Sequence, residues 1–587
     1  LKEAVEREWV LLSQVPDLVR EISMRHGLTI PAAKTLVNRE ITDPREVELF
    51  LKGTLSEFPD PSLLNDVDKA SERLVNAGIR REPLLIYADY DADGATGAAC
   101  LFLFLKEVFP EQPLRIHQND RLLEGYGIQE RVIAEAALEG CRLVVTVDCG
   151  ITDCAQIREA AACGVEVIVT DHHLPGETLP EAYAVIDPYR QDCNFPFRDL
   201  AGVGVAFFLV CGIRRNLREK GFFNGCPEPS LKRFLDLVAL GTVADMVSLT
   251  SSNRLLVREG IREIRKSARP GIEALFSVSG ASVALATEAD LGFKVGPRLN
   301  AAGRIGDSSR SSRILVSCNR EESDRLAREL NEDNTRRQRE QERILSNVIS
   351  EIDLFRELPD AIVLSDPAWH QGVLGIVASK ILDLYGRPVI LLREEAGVAT
   401  GSCRSVEGFP VVSALSELSH LLMRYGGHSR AAGVALPIEN LELFRDKFSE
   451  IAARHAKEAP FLPRCTIDSE IRIEDIGMDL LADLNLLRPF GMGNPEPVFL
   501  LKNIRVARVL RMGASGQHLR FELEEKGKRV EGVAFNRAKI PADPNGRTDL
   551  LVTVQENLYR GTRSVRLVLQ DARESGRPLL CAGMAPG

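Results

Sequence analysis

The sequence predicts an α/β protein: a parallel-sheet domain, a second α/β domain joined to it by a long helix, and a C-terminal β-barrel. Three observations carry this. Short apolar runs alternate with helix-like stretches from about residue 80 onward. Acidic or imidazole side chains stand at the carboxyl end of successive runs. From about residue 465 the pattern shortens to closely spaced strands. The boundaries read 1–65 for a leading helical segment, 66–320 for the first α/β domain and 321–354 for the connecting helix. They continue as 355–460 for the second α/β domain, 461–575 for the barrel and 576–587 for a loose tail.

At 587 residues the chain exceeds a single core, and three or four domains are expected. A hydrophobic share of 44% and a charged share of 27% exclude a disordered or fibrous class. There is no run of about 18 apolar residues, so no membrane partner is expected. The start, LKEAVEREWVLL, lacks the basic-then-apolar order of a secretory signal, and without a Met it reads as a truncated beginning. Twelve Cys without a CxxC pair read as reduced thiols, which together place the protein in the cytoplasm.

The first 70 residues carry apolar positions at helical spacing, such as Ala33, Leu36 and Val37, and no chemistry. Leu84–Thr96, LLIYADYDADGAT, is the centre of the reading. Leu84 to Tyr87 is a short buried strand, and Ala98 to Val108 is a helix. Between them Asp89, Asp91 and Asp93 alternate up to Gly94. Like charges this close repel unless protons or a cation neutralise them, and hard divalent cations prefer oxygen ligands. The alternative is a solvated turn, since Asp and Gly are common there. The carboxyl edge of an open α/β sheet is where ligands bind.

The next runs repeat the pattern. Val144–Val147 ends in Asp148, and Val165–Val169 leads to Asp171, His172 and His173. Leu235–Val243, read as a fourth strand end, leads to Asp245. Parallel strands bring their carboxyl ends to one edge, so these groups can converge.

DYDADG, TVDCG, DHH and VADMV resemble, in order, the signature blocks of the DHH phosphoesterases. GPRLNAAGR, WHQGVLGIVASKI, GSCRS, GGHSRAAG and RPFGMGNPEPVF are similar to the RecJ-type branch, the single-strand-specific exonucleases. The resemblance runs from about 60 to 570 and implies two ions, Mn²⁺ or Mg²⁺. It implies one ion on Asp93, Asp148, His172 and Asp245, the other on Asp91 with Asp148 shared. Some relatives carry a His four residues before the first Asp of the D-x-D pair, where this chain has Tyr87. A neutral phenol is a poor ligand, so the second ion is expected to be held more weakly, with Asp89 helping directly or through a water. His173 is expected to contact the scissile phosphate or protonate a leaving oxygen, or else to give a supporting hydrogen bond.

Arg298, Asn300 and Arg304 lie in a small-residue block that suits phosphate contact, although Gly303 alone could mark a helix end. Glu321–Ile352 is charged, free of Gly and Pro, and apolar at helical spacing. Its charges read as a solvated face. Beyond it, Ala361–Leu364, Gly372–Leu384, Val389–Leu392 and Val398–Ser402 read as strand, helix, strand, strand of a DHH-associated domain. Ser402, Arg404, Gly426, Gly427 and His428 sit in its small-residue blocks as a candidate pocket for a terminal phosphate or a nucleotide backbone. Trp369 reads as a buried aromatic, with base stacking as the alternative.

Net charge is −10, which alone argues against nucleic acid, but Lys and Arg outnumber Asp and Glu roughly two to one between Lys502 and Arg566. Five short strands there suggest an OB-type barrel, with Tyr559 and Phe535 as candidate stacking aromatics and Phe535 read as core.

The resemblance implies a single-stranded-DNA exonuclease that releases nucleoside 5′-monophosphates with 5′-to-3′ polarity, in recombination and repair. It implies a channel between the α/β halves that admits an unpaired strand, and a monomer working with a single-strand-binding protein and a helicase. Two rivals share the blocks: a phosphodiesterase of oligoribonucleotides or cyclic dinucleotides, and a non-catalytic DNA-binding scaffold.

Overall fold

The computed structural model describes residues 7–13, 15–121, 123–513, 516–537, 539–543, 545–559 and 561–582. They form two compact units. Of the described residues, one unit holds Leu55–Phe461 with Gly491–Gly493; the other holds 7–54, Leu462–Phe490 and 494–582.

The first unit contains a five-stranded parallel sheet. Its strands, in spatial order, are Leu114–Gln118, Leu84–Ala88, Leu143–Val147, Glu166–Thr170 and Ala184–Ile186. LLIYA and LVVTV are buried throughout, as expected where helices cover both faces of a parallel sheet. Alternate residues go to opposite cores: Leu84, Ile86 and Ala88 to one, Leu85 and Tyr87 to the other. The register sets Ala88, Val147, Thr170 and Ile186 in one row. Asp89, Asp148, Asp171 and Asp187 therefore leave the sheet side by side.

Leu235–Val243 corrects one expectation. It is not a strand but the buried helix Leu235–Ala244, packed against helices Ala92–Val108, Gly202–Glu219 and Ser251–Ser267. A helix enclosed on all sides is apolar all round, so its sequence lacks the 3.6-residue period that would distinguish it from a buried strand. Asp245 is its C-cap.

The helix Arg320–Asp353 links two cores. Leu326 and Leu330 pack in the core of the parallel-sheet domain. Ile344, Val348 and Ile352 pack with Trp369, which is buried and so not a stacking surface. The sheet that follows has the order Arg424–His428, Ala431–Pro437, Val398–Arg404, Val389–Glu395 and Ile362–Ser365. Among the described residues no helix is long and apolar enough to cross a membrane.

In the second unit, strands Phe499–Met512, His518–Glu525, Lys528–Ala534, Arg547–Tyr559 and Thr562–Glu574 form a barrel. It closes through the pairing of the first with the fourth, as in an OB fold. Phe535 is half exposed, not core; the side chain of Tyr559 lies outside the described residues. Several short strands are not singled out by the sequence reading, among them Glu8–Leu12, Arg464–Ile467 and Leu580–Ala582. Glu8–Leu12, in the leading segment read as helical, pairs with Arg464–Ile467 and with Leu580–Ala582, which was read as loose tail. Runs this short carry no period, and their pairing is set by distant backbone.

Gly260 sets how closely helix Ser251–Ser267 approaches the helix that ends at Asp245. A β-carbon there would lie 2.1 Å from the Leu235 carbonyl oxygen. Gly260→Ala is expected to destabilise the protein by about 2–3 kcal/mol through overpacking, read as a lower urea midpoint; an unchanged midpoint would mean that the two helices can move apart freely.

Candidate active site

Four chain segments deliver carboxylates and imidazoles to one edge of the parallel sheet. Asp91 caps helix Ala92–Val108, its carboxylate accepting from the backbone N–H groups of Asp93 and Gly94. Asp93, in the first turn, accepts from Gly202 N at 2.6 Å and Val203 N at 2.9 Å, and so joins the start of helix Gly202–Glu219 to the site. Asp148 has a left-handed φ of 63°, which Asp tolerates better than most residues. Gly202 packs against it; a β-carbon at Gly202 would sit 2.8 Å from Asp148 Cβ.

His172 Nε2 lies 3.0 Å from Asp148 Oδ1, 3.7 Å from Asp245 Oδ2 and 3.8 Å from Asp93 Oδ2. Asp89 Oδ1, Asp148 Oδ1 and His172 Nε2 are buried and make no directed hydrogen bond, the last two facing each other at 3.0 Å. Buried polar atoms are normally satisfied, and three such atoms gathered at one sheet edge are open to a ligand. Asp93, His172 and Asp245 offer three ligand atoms within 4.8 Å of one another, and so do Asp89, Asp91 and Asp148. This donor set of carboxylates and imidazole fits Mn²⁺ or Mg²⁺. Burial, then Asp245, pushes the Asp93 carboxyl up to about 7. Burial, then Asp93, raises Asp148 as well.

His173 borders this cluster, its Nδ1 3.9 Å from Asp148 Oδ1 and its ring 4.5 Å from that of His172. Its Nδ1 lies 2.8 Å from Asp171 Oδ1 and 3.0 Å from the Tyr126 hydroxyl. Asp171 also accepts from the N–H groups of Ile151, His172 and His173, so it acts as acceptor and the His173 proton sits on Nδ1. Burial lowers the His173 pKa, but the hydrogen bond to Asp171 together with the charges of Asp171 and Asp245 outweighs it, and the net shift is upward. Nε2 is left as the exchangeable position.

A second cluster is basic. Arg304 donates to the Gly372 carbonyl at 3.1 Å. Burial, then Arg121 and Arg337, pushes its guanidinium down to about 10. Arg121 also lies over the Tyr90 ring at 5.0 Å. Arg404 donates Nε to Ser379 Oγ at 3.1 Å and is lowered mainly by burial, with Arg121 adding to it. Arg304 and Arg404 thus lie buried, each within range of Arg121, and guanidinium groups so placed suit a shared anion. In the adjacent sheet Ser402, Gly433 and Gly426 form one row, and Arg404, Ala431 and His428 another, two residues along on the same face. Gly427, in the row between, takes a φ of 143° and faces the opposite side.

Residues 83–242 match the N-terminal domain of the DHH family, 359–454 the DHHA1 domain and 467–571 the RecJ OB domain. The single-stranded-DNA-specific exonuclease RecJ of Bacillus subtilis (strain 168) is 33% identical, over 97% of this chain and 71% of its own. The chain belongs to the RecJ family. The RecJ of Escherichia coli (strain K12) is 36% identical over 91% of this chain and 94% of its own. A crystal structure of RecJ in complex with Mn²⁺ from Thermus thermophilus superposes with a TM-score of 0.83 at 31% identity, covering 100% of this chain and 82% of that one.

Within this family fold, two residues singled out from sequence as substrate contacts also make protein contacts. Arg298 donates to Asn331 Oδ1 and to the Lys294 and Val278 carbonyls, tying its helix to Arg320–Asp353. Asn300 Oδ1 accepts from Ala92 N at 2.7 Å and so helps fix the start of helix Ala92–Val108. Tyr87 points into the sheet core. Its hydroxyl meets Asn119 Oδ1 at 2.5 Å and Gln129 N at 2.9 Å. It thereby anchors the loop that carries Arg121 and Tyr126. Arg121, Tyr126 and Arg337 were absent from the sequence-predicted site, and Asp171 stood in it only as a converging strand-end acid without a role of its own. Arg121 and Tyr126 stand in a turn-rich stretch without a period, and Arg337 is one of many arginines on a charged helix.

The raised Asp93 carboxyl has a consequence for stability. Its folded pKa, about 7, exceeds the ordinary value of 3.8, so its contribution is fully present below about 4 and lost as pH rises through 7. In EDTA, the urea midpoint of the wild type is expected to fall between pH 4 and 7 relative to Asp93→Asn, and saturating Mn²⁺ to remove the fall. Parallel pH profiles in EDTA would contradict the crowded-carboxylate picture.

Proposed function

We propose that the chain is a metal-dependent exonuclease that degrades single-stranded DNA to nucleoside 5′-monophosphates. The observation that carries this is the set of buried ligand atoms without directed hydrogen bonds on Asp89, Asp148 and His172, gathered with Asp91, Asp93 and Asp245 at one sheet edge. Asp93, Asp148, His172 and Asp245 would hold one Mn²⁺ or Mg²⁺, and Asp89, Asp91 and Asp148 the other. Two such ions, when bound, activate an attacking water and stabilise the leaving oxygen of an in-line displacement.

The remaining steps belong to the chain. Asp171 fixes the ring of His173, whose Nε2 can hydrogen-bond a phosphate oxygen or hand a proton to the leaving oxygen. Arg304, Arg404 and Arg121, with Ser402, Gly426 and His428 on one face of the second sheet, would take the strand's terminal phosphate, and Gly427 would shape the edge strand between them. Holding a 5′-phosphate at a fixed distance from the ions would give 5′-to-3′ polarity and mononucleotide steps. The barrel, basic and half exposed at Phe535, suits an unpaired strand and would be superfluous for a dinucleotide. The reading extends to a cytoplasmic monomer in DNA repair and recombination, supplied with single strands by a helicase and a single-strand-binding protein.

A single strand labelled at each end in turn tests this. The 5′ label is expected to leave first, as mononucleotide, in Mn²⁺ but not in EDTA. Asp148→Ala is expected to lower the rate by at least about a thousandfold, the scale of losing a charge-stabilising group. Arg404→Ala is expected to raise KM mainly for 5′-phosphorylated strands. Release from the 3′ end, or equal activity of Asp148→Ala, would overturn the proposal.

A further inference from the structure

Two exposed apolar side chains stand on segments that meet at the C-terminal end of helix Leu235–Ala244. Met246 directly follows Asp245 and has a left-handed φ of 64°, a position where helices usually place glycine. Its side chain is nevertheless long, apolar and 68% exposed. Phe293 is 83% exposed. It lies in the π-helical turn Leu291–Val295, whose end residues are fully buried. Such turns interrupt regular helices and are frequent at functional sites. The turn leads directly into helix Gly296–Ile305, which carries Arg304.

The two residues stand on backbone segments in direct contact. A β-carbon at Gly292 would lie 3.2 Å from Val243 Cγ1, and one at Gly296 would lie 3.1 Å from Ala244 Cβ. The π turn thus rests on the last turn of the helix that ends in Asp245. Folding accounts for the buried neighbours Leu291 and Val295, but not for Phe293 or for a thioether where glycine would relieve strain. An isolated exposed apolar residue is ordinary; two of them on touching segments, one beside Asp245 and the other leading to Arg304, call for an occupant.

We propose that Met246 and Phe293 form an apolar seat for a nucleobase of the DNA strand, next to the phosphate being cleaved. This rests on the nuclease reading above and deepens it. An aromatic face and a polarizable thioether bind any base without reading its hydrogen-bonding edge. A seat of this kind suits an enzyme that must accept each nucleotide in turn.

The test compares wild type, Phe293→Ala, Phe293→Trp and Met246→Gly on two single strands in Mn²⁺. One strand is natural; the other carries abasic residues at its 5′-terminal positions. On the natural strand Phe293→Ala is expected to raise KM about tenfold, the order of one base–aromatic stack, and Phe293→Trp to restore it. Met246→Gly is expected to raise KM while holding or raising Tm. On the abasic strand wild type and variants should coincide. Unchanged KM on the natural strand would overturn the seat. So would an equal loss on both strands, which would point to a backbone contact or to a fold defect. If the wild type hydrolyses neither strand, the nuclease reading fails. The seat is then judged by fluorescence anisotropy of the same two strands, where equal binding by wild type and Phe293→Ala overturns it.

Discussion

Repulsion among buried carboxylates is the constraint around which the first unit is arranged. The register of the parallel sheet delivers Asp89, Asp148 and Asp171 from one row, and Asp93 and Asp245 come in from helix ends. Two like charges about 4 Å apart repel by about 4 kcal/mol even at an effective dielectric constant of 20. His172, with one positive charge at most, offsets only part of that. Protons can relieve the remainder, as the raised Asp93 carboxyl indicates, but a pair of divalent cations relieves it at neutral pH and explains why ligand atoms are left without directed hydrogen bonds.

The surroundings keep these groups in place against their own repulsion. Asp93 is fastened by two backbone N–H groups at the start of helix Gly202–Glu219, and Asp91 by two at its own helix. Asp171 is the exception among the acids. It stays low because His173 and three backbone N–H groups outweigh its burial. It can therefore orient an imidazole where its neighbours are suited to ions. Acids one residue beyond the same sheet edge are thus assigned different work by their hydrogen bonds alone.

The sequence made much of this legible. Strand ends followed by Asp or His located three of the four segments, and the barrel's five strands stood out as alternating or apolar runs between turns. The helix Glu321–Ile352 was readable to within a residue at each end, because Leu326, Leu330, Ile344, Val348 and Ile352 keep its period. What the sequence withheld has physical causes. Leu235–Ala244 is apolar on every side, so its residues do not distinguish helix from strand. Tyr87 looked like a failed ligand because spacing is visible in a sequence and side-chain direction is not; the structure turns it inward to hold the loop of Arg121 and Tyr126. Arg298 and Asn300 looked like phosphate contacts because a guanidinium or an amide serves protein and substrate equally well. Only the structure shows the protein use, through the partners Asn331 and Ala92.

The central claim is that Asp148 stands between two ion positions at one sheet edge. Electron paramagnetic resonance of the Mn²⁺-loaded protein tests it most directly, because two Mn²⁺ ions sharing a carboxylate couple magnetically and isolated ones do not. The account predicts two ions per chain with a coupled-pair spectrum, lost in Asp148→Ala. A single isolated-ion signal at saturation, unchanged in that variant, would contradict it.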